Sequence, residues 1–438
     1  MKKRNIVNLF LISCAIFFAG VTLSLISPFY PSEALSKGVS VTQSGLVMAT
    51  VFVTSIIFTP VCGKYMQVLG AKKFLITGSF IVGLGNFSFG FLSQLEDKNT
   101  FFAMSILIRF VIALGQAAVN PAAYTLAGKQ VNDEHKGKAI SAAEACFGIG
   151  TMVGPTVGGG LYDIGGFSLP FWVSGSVMIF MAFIALFFFK DLECPEKKVG
   201  EERSVTWINI LKAPGVPIST ITVLFTGIAW SWYSASLEPF MNLAYKSSAS
   251  EIGLVFMTFG VTYTAFTPVF GFLTDKGLDG LITCLIGNSL IAVSFLILGP
   301  IPPLSFLGSS LWMTYLAIGV QGLGSSATYI GALLYMMKSA RESGLPETDQ
   351  TNGMVSSLWV VADCIGGVIG SALGGVAFDT IGFEWGSMAM VICMTGTVIL
   401  ISVYFVKVKV YSKRHQQISQ FNLDSDEIPE LLMNENTV

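Results

Sequence analysis

Apolar runs long enough to cross a bilayer, about 20 residues each, recur along the chain near 6–30, 41–65, 74–95, 101–128, 137–161, 169–189, 215–241, 251–273, 281–300, 311–337, 353–378 and 385–406. The pattern predicts an all-α integral membrane protein with twelve transmembrane helices, and the even number places both termini on one side. The first run follows the charged start MKKRN. Its apolar core is too long for a signal peptide and no convincing cleavage site follows it, so it reads as a helix that stays in the membrane.

Composition agrees with this reading. The 438 residues are 53% hydrophobic and only 12% charged, with a mean hydropathy of +0.69, whereas soluble chains are about a quarter charged. The net charge of −2 carries little information, because what matters is where the charges fall. Of 25 lysines and arginines, Lys37, Lys98 and Lys246 fall on the side away from the termini and Arg109 falls inside a span. All the others lie on the terminal side, which the positive-inside rule makes cytosolic. The seven cysteines lie in spans or on that side, so no disulfide framework is implied.

The longest connection, from Lys190 to Lys212, is rich in Lys and Glu and separates two sets of six spans. We expect an N-terminal bundle over 1–189, a cytosolic linker over 190–214, a C-terminal bundle over 215–410 and a cytosolic tail over 411–438. Internal repetition supports the division. FTPVCG at 58–63 recurs as FTPVFG at 266–271, and the same offset of 208 carries Gly45-Leu46-Val47 onto Gly253-Leu254-Val255. At an offset of 216, Gly137 to Gly154 maps onto Gly353 to Gly370, and Gly158, Gly159 and Asp163 map onto Gly374, Gly375 and Asp379. Two pseudo-symmetric six-helix bundles follow, a design that places a substrate site near the midplane where the halves meet.

Three motifs resemble those of the major facilitator superfamily: GIGTMVGPTVGG at 148–159, GKYMQVLGAKK at 63–73, and Arg109 in the fourth span. Within that superfamily, LEPF at 237–240 and VADCIGGVIG at 361–370 are similar to the acidic seventh and eleventh spans of vesicular amine transporters. SPFYPSEALSKG at 27–38, Glu144 and GFEWG at 382–386 resemble the vesicular polyamine branch. Gln67 stands where the loop motif usually has an aspartate, although the second copy keeps Asp275, and the first span lacks the aspartate of classical monoamine members. The resemblance implies conformational roles for Gly63, Gly70, Gly150, Gly154, Pro155, Gly158, Gly271 and Asp275. It also implies proton-coupled exchange of a small cationic amine in a secretory or endolysosomal vesicle, polyamines being favoured over monoamines or other organic cations.

The residues themselves point to chemistry at membrane depth. Of 27 acidic residues only Glu144, Glu238 and Asp363 lie inside spans, and Arg109 is the one basic residue there. Such groups usually line a substrate or ion path. At 100° per residue, Ser356, Trp359, Asp363, Gly367 and Gly370 share one face of the eleventh span, and Gly227, Ser231, Ser234 and Glu238 share one of the seventh. Glu144 and Gly148 do so on the fifth, and Arg109, Gln116, Asn120 and Tyr124 on the fourth. These strips avoid lipid by facing one another or water, which implies a hydrated central cavity.

Asp363 lies about 15 Å from the cytosolic face, near the midplane, with Glu144 at about 10 Å and Glu238 in the far third. Arg109, about 12 Å below the far surface, sits too far from Glu144 to reach it and reads as a charge that tunes another carboxylate. Asp363 is either the carboxylate shared by proton and amine or a structural group bonded to a neighbouring helix. Trp359, one turn away, and Tyr329 offer faces to an ammonium ion. The rows Gly150, Gly154, Gly158 and Gly366, Gly370, Gly374 fit close helix packing, with a hinge role as an addition.

No phosphate-binding loop occurs, so direct nucleotide-driven pumping is not expected. The two histidines, His135 and His415, fall in cytosolic segments, and neither a metal site, a cofactor, a nucleic-acid partner nor an enzymatic centre is expected. In the tail, Glu427 stands four positions before Leu431-Leu432, the acidic dileucine pattern read by clathrin adaptors.

Overall fold

A computed structural model describes residues 3–131, 136–188, 207–298, 310–346 and 349–434; side chains beyond Val410 lie outside the described set. Fourteen α-helices and one short 3-10 turn make up the described chain. They are α1 (Lys3–Ser24), α2 (Tyr30–Ser36), α3 (Val41–Leu69), α4 (Ala71–Phe89), α5 (Lys98–Lys129), α6 (Lys136–Gly165) and α7 (Ser168–Phe188). After the short α8 (Trp207–Leu211) come α9 (Gly215–Tyr245), α10 (Ala249–Asp275), α11 (Gly280–Leu298), α12 (Leu311–Glu342), α13 (Asp349–Thr380) and α14 (Gly382–Asn434). Twelve of these are long, and ten are apolar enough to cross a membrane by length and composition. The other two, α6 and α12, have the length but carry Gly-rich and polar faces, including buried Gln321, Ser325, Ser326 and Thr328 on α12. Of the expected linker only α8 and the residues leading into α9 are described.

The first expected span runs too long. The helix stops at Ser24, turns through 25–29 and restarts as α2 with a proline in its first turn. Pro28 explains the break, because the residue before a proline is held out of the helical region. Hydropathy misses it because Leu25, Ile26, Phe29 and Tyr30 are as apolar as the span and fully buried.

Helices α3 and α10 begin alike. Ser40 accepts from Gln43 N and Ser248 accepts from Glu251 N, each completing a capping box with the third residue of its helix. A second cap comes from the opposite half. Asp379 at the end of α13 accepts from Thr42 N at 2.8 Å, and Asp163 at the end of α6 accepts from Ser250 N at 2.9 Å. Four bare N–H groups at a helix start attract such anions.

The halves meet through α3 against α13 and α6 against α10, and both pairs converge on the face away from the start of α1, called here the far face. A Cβ added at Gly159 would sit 2.1 Å from Ala249 O, and one at Gly375 2.5 Å from Val41 O, so only glycine permits these approaches. Toward the near face the same helices separate. A Cβ added at Gly148, Gly353, Gly63 or Gly271 would meet no described atom within 4 Å. The molecule is closed at the far face and splayed at the near one.

Within each half the glycine rows pack. Gly150 and Gly154 of α6 lie on the α1 backbone at Phe17 and Val21 and Gly158 on Leu25 of the turn that follows, while Gly366, Gly370 and Gly374 of α13 lie on α9 at Leu224, Ile228 and Trp232. Pro155 sits inside α6, with Gly253 of α10 against its carbonyl. Gly70 takes φ +88° in the α3–α4 junction, and Asp275 ends α10.

Candidate functional site

Asp363 is set in the middle of α13 directly against Gly227 of α9. A Cβ at Gly227 would fall 2.8 Å from Asp363 O and 2.9 Å from its Oδ1, so the missing side chain makes room for the carboxylate. Tyr329 of α12 donates its hydroxyl to Asp363 Oδ1. The Tyr329 ring meets Trp359 edge-on at 5.1 Å and Tyr263 of α10 at 6.2 Å, and Tyr263 stacks on Phe259 at 6.0 Å. Asp363 is half-buried, at one side of an aromatic box whose Trp359 Nε1 has no partner among the described residues.

Glu144 is exposed on the near-side half of α6, within electrostatic reach of Tyr124 of α5. Tyr263 lies within electrostatic reach of both Asp363 and Glu144, one carboxylate from each half. Asn120 is half-buried with Oδ1 unpartnered. Ser231 is buried with Oγ unpartnered, and Ser234 Oγ lies 3.5 Å from Ser27 Oγ of the turn after α1.

Glu238 does not join this group. It lies toward the far face of α9, 1% exposed, within electrostatic reach of Ser32 and Asn242 and with its Oε2 unpartnered among the described residues. Asn242 Nδ2 in turn donates to Ser32 Oγ at 2.9 Å. Beside it Tyr162 of α6 donates to Glu33 Oε2 at 3.1 Å and stacks on Phe29 at 4.8 Å.

Arg109 differs from the expectation. It is 3% exposed, its Nη2 donates to Leu23 O at 2.9 Å and its Nε has no partner among the described residues. No carboxylate is among its described partners; its charge faces the last turn of α1, where orphan carbonyls attract a cation, and the phenol of Tyr30. Glu427, Leu431 and Leu432 fall on the helical backbone of α14, their side chains outside the described residues.

The profile of the Major Facilitator Superfamily matches residues 12–221 and again 219–434. The chain belongs to the major facilitator superfamily. It is a membrane transporter and not an enzyme. Among similar members, the MFS-type transporter SLC18B1 of Homo sapiens is 28% identical over 405 residues, covering 92% of this chain and 87% of its own length. The synaptic vesicular amine transporter of Mus musculus is 25% identical over 375 residues, covering 83% of this chain and 66% of its own. Among solved structures, an inward-facing, unoccupied bacterial homologue of the human lysosomal transporter Spinster superposes with a TM-score of 0.73 over 92% of this chain and 97% of that one, at 14% identity. That likeness speaks to the superfamily fold alone.

Tyr263 and Glu33 are the residues that sequence reasoning misses. Tyr263 is one of 12 tyrosines, and an acid in a loop outside the spans attracts no notice.

Proposed function

We propose that the protein is a proton-coupled antiporter that moves cationic amines, polyamines above all, across a vesicle membrane by alternating access, with both termini cytosolic and the far face lumenal. The observation that carries this is Asp363, a membrane-embedded carboxylate held by Tyr329 in a box of Tyr263, Tyr329 and Trp359. Aromatic faces attract an ammonium ion by about 0.5–2 kcal/mol each, and the carboxylate supplies the counter-charge. One carboxylate holds a proton or an ammonium, not both. Exchange follows if the proton is loaded from the lumen and displaced by amine arriving from the cytosol.

The similarity to proteins named as vesicular amine transporters supports the amine class, and the open near face supports entry from the terminal side. Glu144, within reach of Tyr263, adds a second anion on the N-terminal half, and Ser231, Ser234 and Asn120 supply polar contacts along the path. A carrier for monoamines or other organic cations, or a non-transporting sensor, would use the same fold.

The deciding experiment is counterflow in proteoliposomes with an inside-acid gradient, run against a polyamine, a monoamine and an organic anion. Gradient-driven polyamine uptake that disappears in Asp363→Asn, and survives in part in Asp363→Glu, is the expected result. Wild-type uptake by Asp363→Asn would overturn the assignment of Asp363, and absence of any cation flux would overturn the cation reading.

A further inference from the structure

The far-side end of α9 carries a second acidic group that the box around Asp363 does not use. Three elements bring it together: Glu33 from α2, Tyr162 from α6 and Glu238 from α9. Tyr162 lies within electrostatic reach of both Glu33 and Glu238, and also of Asp163, its own neighbour in sequence. Lys37, the nearest basic residue along the chain, is committed elsewhere: its Nζ donates to Ser93 O at 2.9 Å and Leu95 O at 2.7 Å.

Glu238 is the informative member. A carboxylate that is 1% exposed and has one oxygen without a partner among the described residues is an expensive thing to bury. Ser32 and Asn242 lie beside the carboxylate and lower the cost of its charge. The free oxygen asks for a proton or for a donor that the described residues do not supply.

Its position relative to Asp363 is set by the helix. Gly227 marks the level of Asp363 on α9, and Glu238 follows it by 11 residues. Eleven steps of 100° come back to within about 20° of the start, so Gly227 and Glu238 lie on one face. They are separated by about 16 Å along the axis. Ser231 and Ser234 fall between them on that face, the first with its Oγ unpartnered. The result is a polar rail with a carboxylate at each end.

We infer that Glu33 and Glu238, with Tyr162 between them, form a second ammonium subsite, which takes the distal charged end of an extended polyamine whose other end is held at Asp363. This rests on the amine reading above and extends it to a rule of recognition: charge spacing, not the presence of one ammonium, sets affinity. A single ammonium satisfies one end only. A long chain with terminal charges satisfies both, and its methylene segments run past the serines. The subsite also adjoins the far-face closure, because Asp163 follows Tyr162 and caps Ser250. Opening that contact gives the subsite a way out to the lumen.

The test uses the full-length protein in proteoliposomes with an inside-acid gradient, and competes labelled spermine uptake with a series of linear α,ω-diamines of increasing length and with a monoamine of matched length. In the wild type, potency should rise with the separation of the two charges. In Glu33→Gln and in Tyr162→Phe the ratio of spermine to monoamine kcat/KM should fall about tenfold, and Glu33→Asp should restore part of it. Equilibrium binding of labelled spermine to the purified variants, with melting temperature as the check on folding, should show the same ordering. An unchanged ratio in folded Glu33→Gln, or no dependence on diamine length in the wild type, would overturn the subsite while leaving amine transport standing. No uptake of any amine by the wild type would instead remove the amine reading, and the subsite with it.

Discussion

Asp379 at the end of α13 holds Thr42 at the start of α3, its Oδ2 accepting from Thr42 N at 2.8 Å and from Thr42 Oγ1 at 2.6 Å. The repeat that maps Asp163 on Asp379 and Gly45 on Gly253 places Ser250 opposite Asp163 in the same way, at 2.9 Å. Each half therefore caps a helix of the other at the far face. An anion at a helix start contributes about 0.3–1 kcal/mol at an exposed site, and a hydrogen bond to a charged group about 1.5–3 kcal/mol. Two such contacts are enough to bias a two-state gate by tenfold or more without locking it. In the double variant Asp163→Ala with Asp379→Ala, a cysteine placed at the far-face gate should become about tenfold more reactive to a membrane-impermeant thiol reagent applied from that side. Unchanged reactivity would assign the closure to the glycine contacts alone.

Much of this was legible without coordinates, and the reasons differ by residue. Apolar runs place the long helices because a bilayer leaves few alternatives for the backbone. Asp363 stands out because a carboxylate is rare at that depth, whereas the hydroxyl that Tyr329 donates to it is visible only in the fold. The partners that cross between helices were not legible. The repeat displays Asp163 and Asp379 as equivalent, yet their role depends on which helix start lies opposite, and that is set by the crossing of α3 with α13 and of α6 with α10. Arg109 misled for the same reason: sequence shows a cation in a span but not the carbonyl it meets.

The glycine rows admit a sharp contrast. A Cβ at Gly150 would sit 2.1 Å from Phe17 O, which is backbone and cannot turn aside, whereas a Cβ at Gly148 meets nothing within 4 Å. Overpacking of this kind costs about 1–3 kcal/mol. Gly150→Ala should lower the melting temperature in detergent by several degrees, and Gly148→Ala should leave it unchanged or raise it slightly through better helix propensity. Equal effects from the two substitutions would mean that α1 and α6 do not pack through this row.

The tail makes a prediction about location, resting on its sequence. With Leu431→Ala and Leu432→Ala together, an adaptor that reads Glu427 and the dileucine pair loses its apolar anchor, and the protein should shift from vesicles to the plasma membrane. Surface biotinylation measures this. An unaltered surface fraction would remove the sorting role.

Arg109 is a buried cation whose described hydrogen bond goes to Leu23 O, at the point where α1 ends and the chain turns through 25–29 into α2. Deleting it removes that bond but also removes the cost of burying an incompletely partnered charge, so the two effects oppose each other in the overall melting temperature. The local consequence has a definite sign. Without the guanidinium the last turn of α1 loses a charge-assisted bond worth about 1.5–3 kcal/mol, and the turn that carries Phe29 and Tyr30 loses its anchor. In Arg109→Met, amides of Leu25, Ser27, Phe29 and Tyr30, which bond back to carbonyls of 21–26, should exchange with solvent about tenfold faster than in the wild type. Arg109→Lys keeps the charge and one donor and should fall between the two. The pH profile of transport should keep its midpoint in both, because no carboxylate is among the described partners of Arg109. A shifted midpoint with unchanged exchange at these amides would return Arg109 to the role of tuning a carboxylate.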